Sequence, residues 1–254
     1  MTDSELRAEI AGERRDLAAV LAALPPAGWD APTLCAGWRV REVVAHTTMP
    51  LRYSARGFGW ELLRARGNFT RMADRCARRD AAQLPAAELL RVLTERADQP
   101  WKPPGGGFAG ALTHEVVHGL DYTVPLGVDR TVPEDRLRVV LGQLATARSV
   151  RYFGVDLTGV QLRADDLDWS FGAGTTVSGS AQDLTLVLAG RRLPPGRLSG
   201  TDRFTTATAA TATGAREARE AREAGEAGEA AGAGEAAGAG EAAGADSTPH
   251  RRNR

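Results

Sequence analysis

Two of the chain's four histidines stand in the string His114-Glu115-Val116-Val117-His118. Residues at i and i+4 lie one above the other on a helix, so both imidazoles can reach a single ion. The string also reads as H-E-x-x-H, which on a helix puts two histidines on zinc with the glutamate as general base. A third histidine, His46, ends the amphipathic segment Val40-Arg41-Glu42-Val43-Val44-Ala45-His46, at the edge of its inward face. An imidazole among valines is costly unless it is paired. Three neutral imidazoles from two helices leave a tetrahedral zinc one open position, as catalytic rather than structural sites do. A shared divalent-metal site at His46, His114 and His118 is therefore the expectation. Zinc fits first, although nickel, copper and iron also accept imidazole.

Helices must carry these residues. Thr2 and Glu5 have the spacing of a capping box, and the apolar stripe that follows predicts a helix over about residues 3–24, ended by Pro25 and Pro26. A second helix points Val40, Val43, Val44 and Thr47 inward and is expected to close at Pro50. Residues 51–100 read as two or three helical pieces. The loop Pro103-Pro104-Gly105-Gly106-Gly107 then precedes the helix of His114 and His118, which should end before Pro125. This gives a helical bundle over residues 1–130. A small α+β domain is expected over 131–204, with a helix that starts at Val132-Pro133-Glu134-Asp135 and runs through Leu144 and Ala147. There, alternating stretches at 160–163 and 167–171 precede Gly172-Ala173-Gly174, a hairpin signal. Ser180 can cap a last helix at about 181–189. Residues 205–254 are low-complexity repeats of Ala, Gly, Arg and Glu. With few bulky apolar groups they predict a disordered tail, and His250 within it belongs to no site.

Hydrophobic residues make up 43% of the chain and charged ones 25%, as in ordinary globular proteins. Formal net charge is zero, which points to neither nucleic-acid nor anionic-membrane partners. An acidic start, Met1-Thr2-Asp3-Ser4-Glu5, lacks the order of a secretory signal, no apolar run reaches membrane-span length, and two cysteines make no disulfide framework. A cytoplasmic protein is expected. Cys35 reads as small-residue packing and Cys76, among arginines, as a thiol without a partner base. The five tryptophans, Trp29, Trp38, Trp60, Trp101 and Trp169, read as core or pocket walls.

The segment Trp29-Asp30-Ala31-Pro32-Thr33-Leu34-Cys35-Ala36-Gly37-Trp38, continued through His46, resembles the opening signature of the mycothiol-dependent maleylpyruvate isomerase family. His114 through Asp121 is similar to that family's second signature, and Val177-Ser178-Gly179-Ser180 with Leu184 through Arg191 is similar to the end of its C-terminal domain. The resemblance implies a mainly α chain: a DinB-like four-helix bundle, then the small α+β domain. It implies a metal held by His46, His114 and His118. The resemblance implies glutamate at the earlier helix position in many isomerase-like members, whereas this chain has His114, as in three-histidine DinB-like bundles. His114 in its place adds one unit of positive charge to the site and favours an anionic ligand such as a thiolate.

The activity so implied is that of an isomerase or S-transferase in which a divalent metal activates a thiol, with mycothiol as cosubstrate and a small electrophile as substrate. Arg191 and Arg192 are candidates to bind the cosubstrate or anchor a substrate carboxylate. One alternative is a non-catalytic, metal-stabilised bundle that binds a ligand. Another is a peptidase with Glu115 as base. That class takes its third ligand downstream, where only Glu134 and His250 stand. Glu115 is turned about 100° from the histidine face, so it is expected to be exposed or behind the ligands.

Overall fold

A computed structural model describes residues 1–205, so the tail expected from 205 onward lies, apart from its first residue, outside the described residues. Thr2 caps α1 (Asp3–Ala23) through the reciprocal bonds of a capping box: its hydroxyl accepts from the Glu5 N–H at 3.3 Å, and Glu5 accepts from the Thr2 N–H at 2.6 Å. A short 3-10 turn, Pro26–Asp30, leads to a tight loop and then α2 (Val40–Arg52). Pro50 does not close α2. It stands in the last turn, where its missing N–H costs one hydrogen bond, the one to the His46 carbonyl. Three helices follow, α3 (Ala55–Arg64), α4 (Phe69–Gln83) and α5 (Ala86–Glu95), before the histidine helix α6 (Gly107–Thr123).

α1 and α2 each pack against both α5 and α6, which closes a four-helix bundle; α4 flanks α2 from outside it. Leu112, Val116 and Leu120 on α6 are fully buried and contribute roughly 1.5–3 kcal/mol each. They fall on a different stripe from His114 and His118, so one helix packs and presents the two imidazoles at once.

Beyond α7 (Glu134–Leu144) and α8 (Ala147–Tyr152) lies a four-stranded sheet in the order β2-β1-β3-β4, with β1 Val160–Ala164, β2 Ser170–Gly172, β3 Thr175–Gly179 and β4 Leu198–Ser199. The expected hairpin is the antiparallel pair β1 and β2, with Leu162 opposite Phe171. β3 runs parallel to β1 on its other side, Leu162 opposite Val177. The chain turns back across β1 at Gly174, whose φ is +130°; a Cβ there would stand 2.1 Å from the Gly159 carbonyl oxygen, so only glycine fits. Ser180 caps α9 (Ala181–Leu188), as its sequence implies. α9 packs on α7, α6 and the sheet, and its apolar face shares one core with Leu6 and Ile10 of α1.

Candidate metal centre

α2 and α6 are neighbours in the bundle, and their facing sides carry His46, His114 and His118. One ring nitrogen from each lies within 4.8 Å of the others. The Nε2 atoms of His46 and His114 are 3.1 Å apart, close to the roughly 3.3 Å between ligand atoms of a tetrahedral zinc with 2.0–2.1 Å bonds. Trp38 and Trp101 wall the pair, with ring centroids 5.2 Å from His46 and 5.1 Å from His114. Burial pushes the pKa of both rings well below its ordinary value, and the neighbouring imidazoles and arginines add to the fall. Neutral rings with available lone pairs are what a cation requires.

His118 is oriented by a carboxylate. Its Nδ1 lies 2.9 Å from Asp121 Oδ2. A carboxylate accepts only, so Nδ1 carries the proton and Nε2 keeps its lone pair for the cluster. Burial by itself would raise the Asp121 carboxyl, but the Arg191 guanidinium and the His118 hydrogen bond hold it far below the carboxylate range. Arg191 binds it with two arms, Nε to Oδ1 at 2.7 Å and Nη2 to Oδ2 at 2.9 Å, and donates Nη1 to the Ala189 carbonyl at 3.0 Å.

Cys35 joins this group. Its thiol donates to Asp121 Oδ2 at 2.9 Å, and Sγ lies 3.8 Å from His118 Nδ1 and 3.4 Å from Arg191 Nη2. The loop that delivers it is locked by its own sequence. Thr33 Oγ1 donates to the Trp38 carbonyl at 2.9 Å, Gly37 takes the left-handed φ of +75°, and the Leu34 N–H donates to the Asp121 carbonyl at 2.9 Å. The packing role read for Cys35 missed this, because contact between residues 35 and 121 depends on how the loop meets α6. The Thr-to-Gly turn chemistry was the available signal.

The residue test for a cation rests on these atoms. The Nε2 atoms of His46 and His114 face each other across a 3.1 Å gap in which two neutral rings share at most one proton. A cation uses both Nε2 lone pairs and that of His118. The donor set of three imidazoles suits zinc and its neighbours in the first transition row.

Of the other residues singled out, Arg191 belongs to the cluster through Asp121, while Arg192 is exposed and donates to the carbonyls of Arg203 and Thr205. Glu115 is 1% exposed, not at the surface, and its Oε1 accepts from Arg14 Nε of α1 at 2.9 Å. Glu134 is exposed and paired with Arg138 at 2.7 Å. Neither acid is presented with the histidines. Cys76 is buried among Met49, Ala65 and Met72. Trp60 is 60% exposed, against the expectation of a core or pocket role.

Similarity to known proteins agrees with this architecture. Two uncharacterized proteins of Mycobacterium tuberculosis, from the strains CDC 1551 / Oshkosh and ATCC 25618 / H37Rv, are each 29% identical over 73% of this chain and 84% of their own length. The crystal structure of the mycothiol-dependent maleylpyruvate isomerase superposes with a TM-score of 0.54, and that of a mutant of it with 0.53. Identity is 14% in both, over 81% of this chain and 97% of theirs. At that identity the match establishes the fold, a mainly helical chain with a small mixed sheet. Residues 10–100, which contain His46 and the Cys35 loop, match the family described as the mycothiol maleylpyruvate isomerase N-terminal domain.

Proposed function

We propose that this chain is a divalent-metal, thiol-dependent enzyme of the isomerase or S-transferase type. The observation that carries the reading is the convergence of His46, His114 and His118, with the proton of His118 held on Nδ1 by Asp121. A divalent cation there, zinc in the first instance, would supply the Lewis acidity that turns a thiol of pKa about 8.5 into the nucleophilic thiolate at neutral pH. Asp121 and Arg191 keep His118 in the ligating tautomer. Trp38 and Trp101 shield the rings from water, which strengthens electrostatic attraction for an anionic sulfur. Mycothiol is the proposed thiol and a small electrophile the proposed substrate, by likeness to the isomerase whose fold this chain shares.

The peptidase alternative loses its base, since Glu115 is bound to Arg14 on the α1 side of α6. The test is elemental analysis of protein never exposed to chelator, followed by assays of thiol conjugation and double-bond isomerisation with a panel of thiols. About one divalent ion per chain, and turnover that needs both metal and thiol, is the expected result. Metal without turnover for any thiol would favour a non-catalytic metal-stabilised bundle instead. Replacing His118 with alanine should abolish metal retention; full retention would remove it from the ligand set.

A further inference from the structure

Five large apolar side chains are exposed among the described residues, and three of them, Trp60, Leu63 and Phe69, lie within ten positions of one another on α3 and the start of α4. Trp60 is 60% exposed, Leu63 68% and Phe69 46%. The arrangement follows from helical spacing. Phe58 and Leu62 on one side of α3 pack against Met49, Met72 and Cys76. Arg56, Trp60, Leu63 and Arg64, at i, i+4, i+7 and i+8, share the opposite side and all face solvent.

The charge around this face is one-sided. Arg56, Arg64, Arg66 and Arg71 are exposed, and the one acid between positions 53 and 73, Glu61, is buried and bound by Arg75 and Arg79. Arg66 is also the one non-glycine described residue at positive φ, +56°, in the turn from α3 to α4. The formal neutrality of the whole chain, which argues against an anionic partner, is an average that conceals this local excess.

We propose that this face docks on an anionic membrane surface, with Trp60 and Leu63 in the headgroup layer and the exposed arginines around them on lipid phosphates. Tryptophan with leucine, flanked on the same helix side by exposed arginines, is the chemistry of an interfacial helix. Self-association through a two-fold axis is disfavoured, because it would oppose the same arginines with no exposed acid between positions 53 and 73 to pair them. No described helix is long and apolar enough to cross a membrane, so the contact is peripheral.

The test is co-sedimentation of the full chain with vesicles of phosphatidylcholine alone and with 30–40% phosphatidylglycerol, the typical range for such assays, at low and high salt. Tryptophan quenching by brominated lipid is read in parallel. Binding to the anionic vesicles only, weakened by salt, is the expected result. Trp60→Ala should remove most of the quenching, and Arg64→Gln with Arg66→Gln should weaken binding by about fivefold per arginine. All these side chains are exposed, so melting temperatures should stay within a degree or two of the parent. Equal binding to neutral vesicles, quenching unchanged in Trp60→Ala, or no binding at all would overturn the proposal. In the last case a salt-sensitive complex with an acidic protein that requires Trp60 would be the reading left for the patch.

Discussion

Asp121 accepts hydrogen bonds from His118, from both arms of Arg191 and from the Cys35 thiol while being fully buried. Its charge therefore does two things: it cancels that of Arg191 and it fixes the tautomer of His118. Asp121→Asn keeps the shape and removes the charge. Loss of an acceptor behind a ligating histidine typically weakens metal binding about 10–100-fold. Leaving a buried guanidinium uncompensated costs about 3–5 kcal/mol. Both effects are expected, read by metal titration and by thermal or urea unfolding; a variant that binds metal as tightly as the parent would detach Asp121 from the site. The three histidines were legible because i and i+4 spacing, and an imidazole set among valines, are local patterns. Cys35 and Arg191 were not legible as partners of Asp121, because they come from positions 86 residues before and 70 after it. Only the packing of the loop and α9 against α6 brings them together.

At the scale of the helix, α6 carries two kinds of side on one axis. His114 and His118 face α2, while Glu115 and Gly119, one position on, face α1. A Cβ on Gly119 would stand 2.7 Å from Leu17 Cδ2, so the glycine of the His-Gly pair is a close-approach position between α1 and α6. Gly119→Val should destabilise by about 1–3 kcal/mol through overpacking. Glu115→Gln should cost about 3 kcal/mol by stranding the buried Arg14 charge. The decisive measurement is metal content: both variants should keep it while their melting temperatures fall. Loss of metal from Glu115→Gln at unchanged stability would restore Glu115 to the site. The ends of α1 and α9 were readable from Thr2, Glu5 and Ser180, whose side chains act on neighbours three residues away. The end of α2 and the strand β3 were not. Pro50 is tolerated because it falls in a final turn, and β3 pairs directly with β1 although β2 comes between them in sequence, so its partner is set by topology and not by alternation.

Across the whole molecule the histidine cluster has a thermodynamic consequence, because His46 and His114 come from elements far apart in sequence and are buried only when the bundle closes. Burial holds both rings well below their ordinary pKa in the folded state, while in the unfolded chain they titrate near 6.5. Between those values the unfolded chain binds more protons than the folded one. Stability therefore falls as pH drops below about 6.5, by up to roughly 1.4 kcal/mol per pH unit for each histidine. The depressed Asp121 carboxyl acts in the same direction but only once its unfolded counterpart begins to protonate, near pH 4, and the Glu115 carboxyl, raised by burial, acts in the opposite direction, so the decline over the window from about 6.5 to 4.5 is that of the imidazoles less the Glu115 contribution. Measured with chelator present, the melting temperature should be flat above pH 7 and decline through that window. Replacing His46 and His114 together by asparagine should flatten the chelated profile. A profile unchanged by the double replacement would assign the acid sensitivity to other groups and remove the physical case for two buried neutral imidazoles.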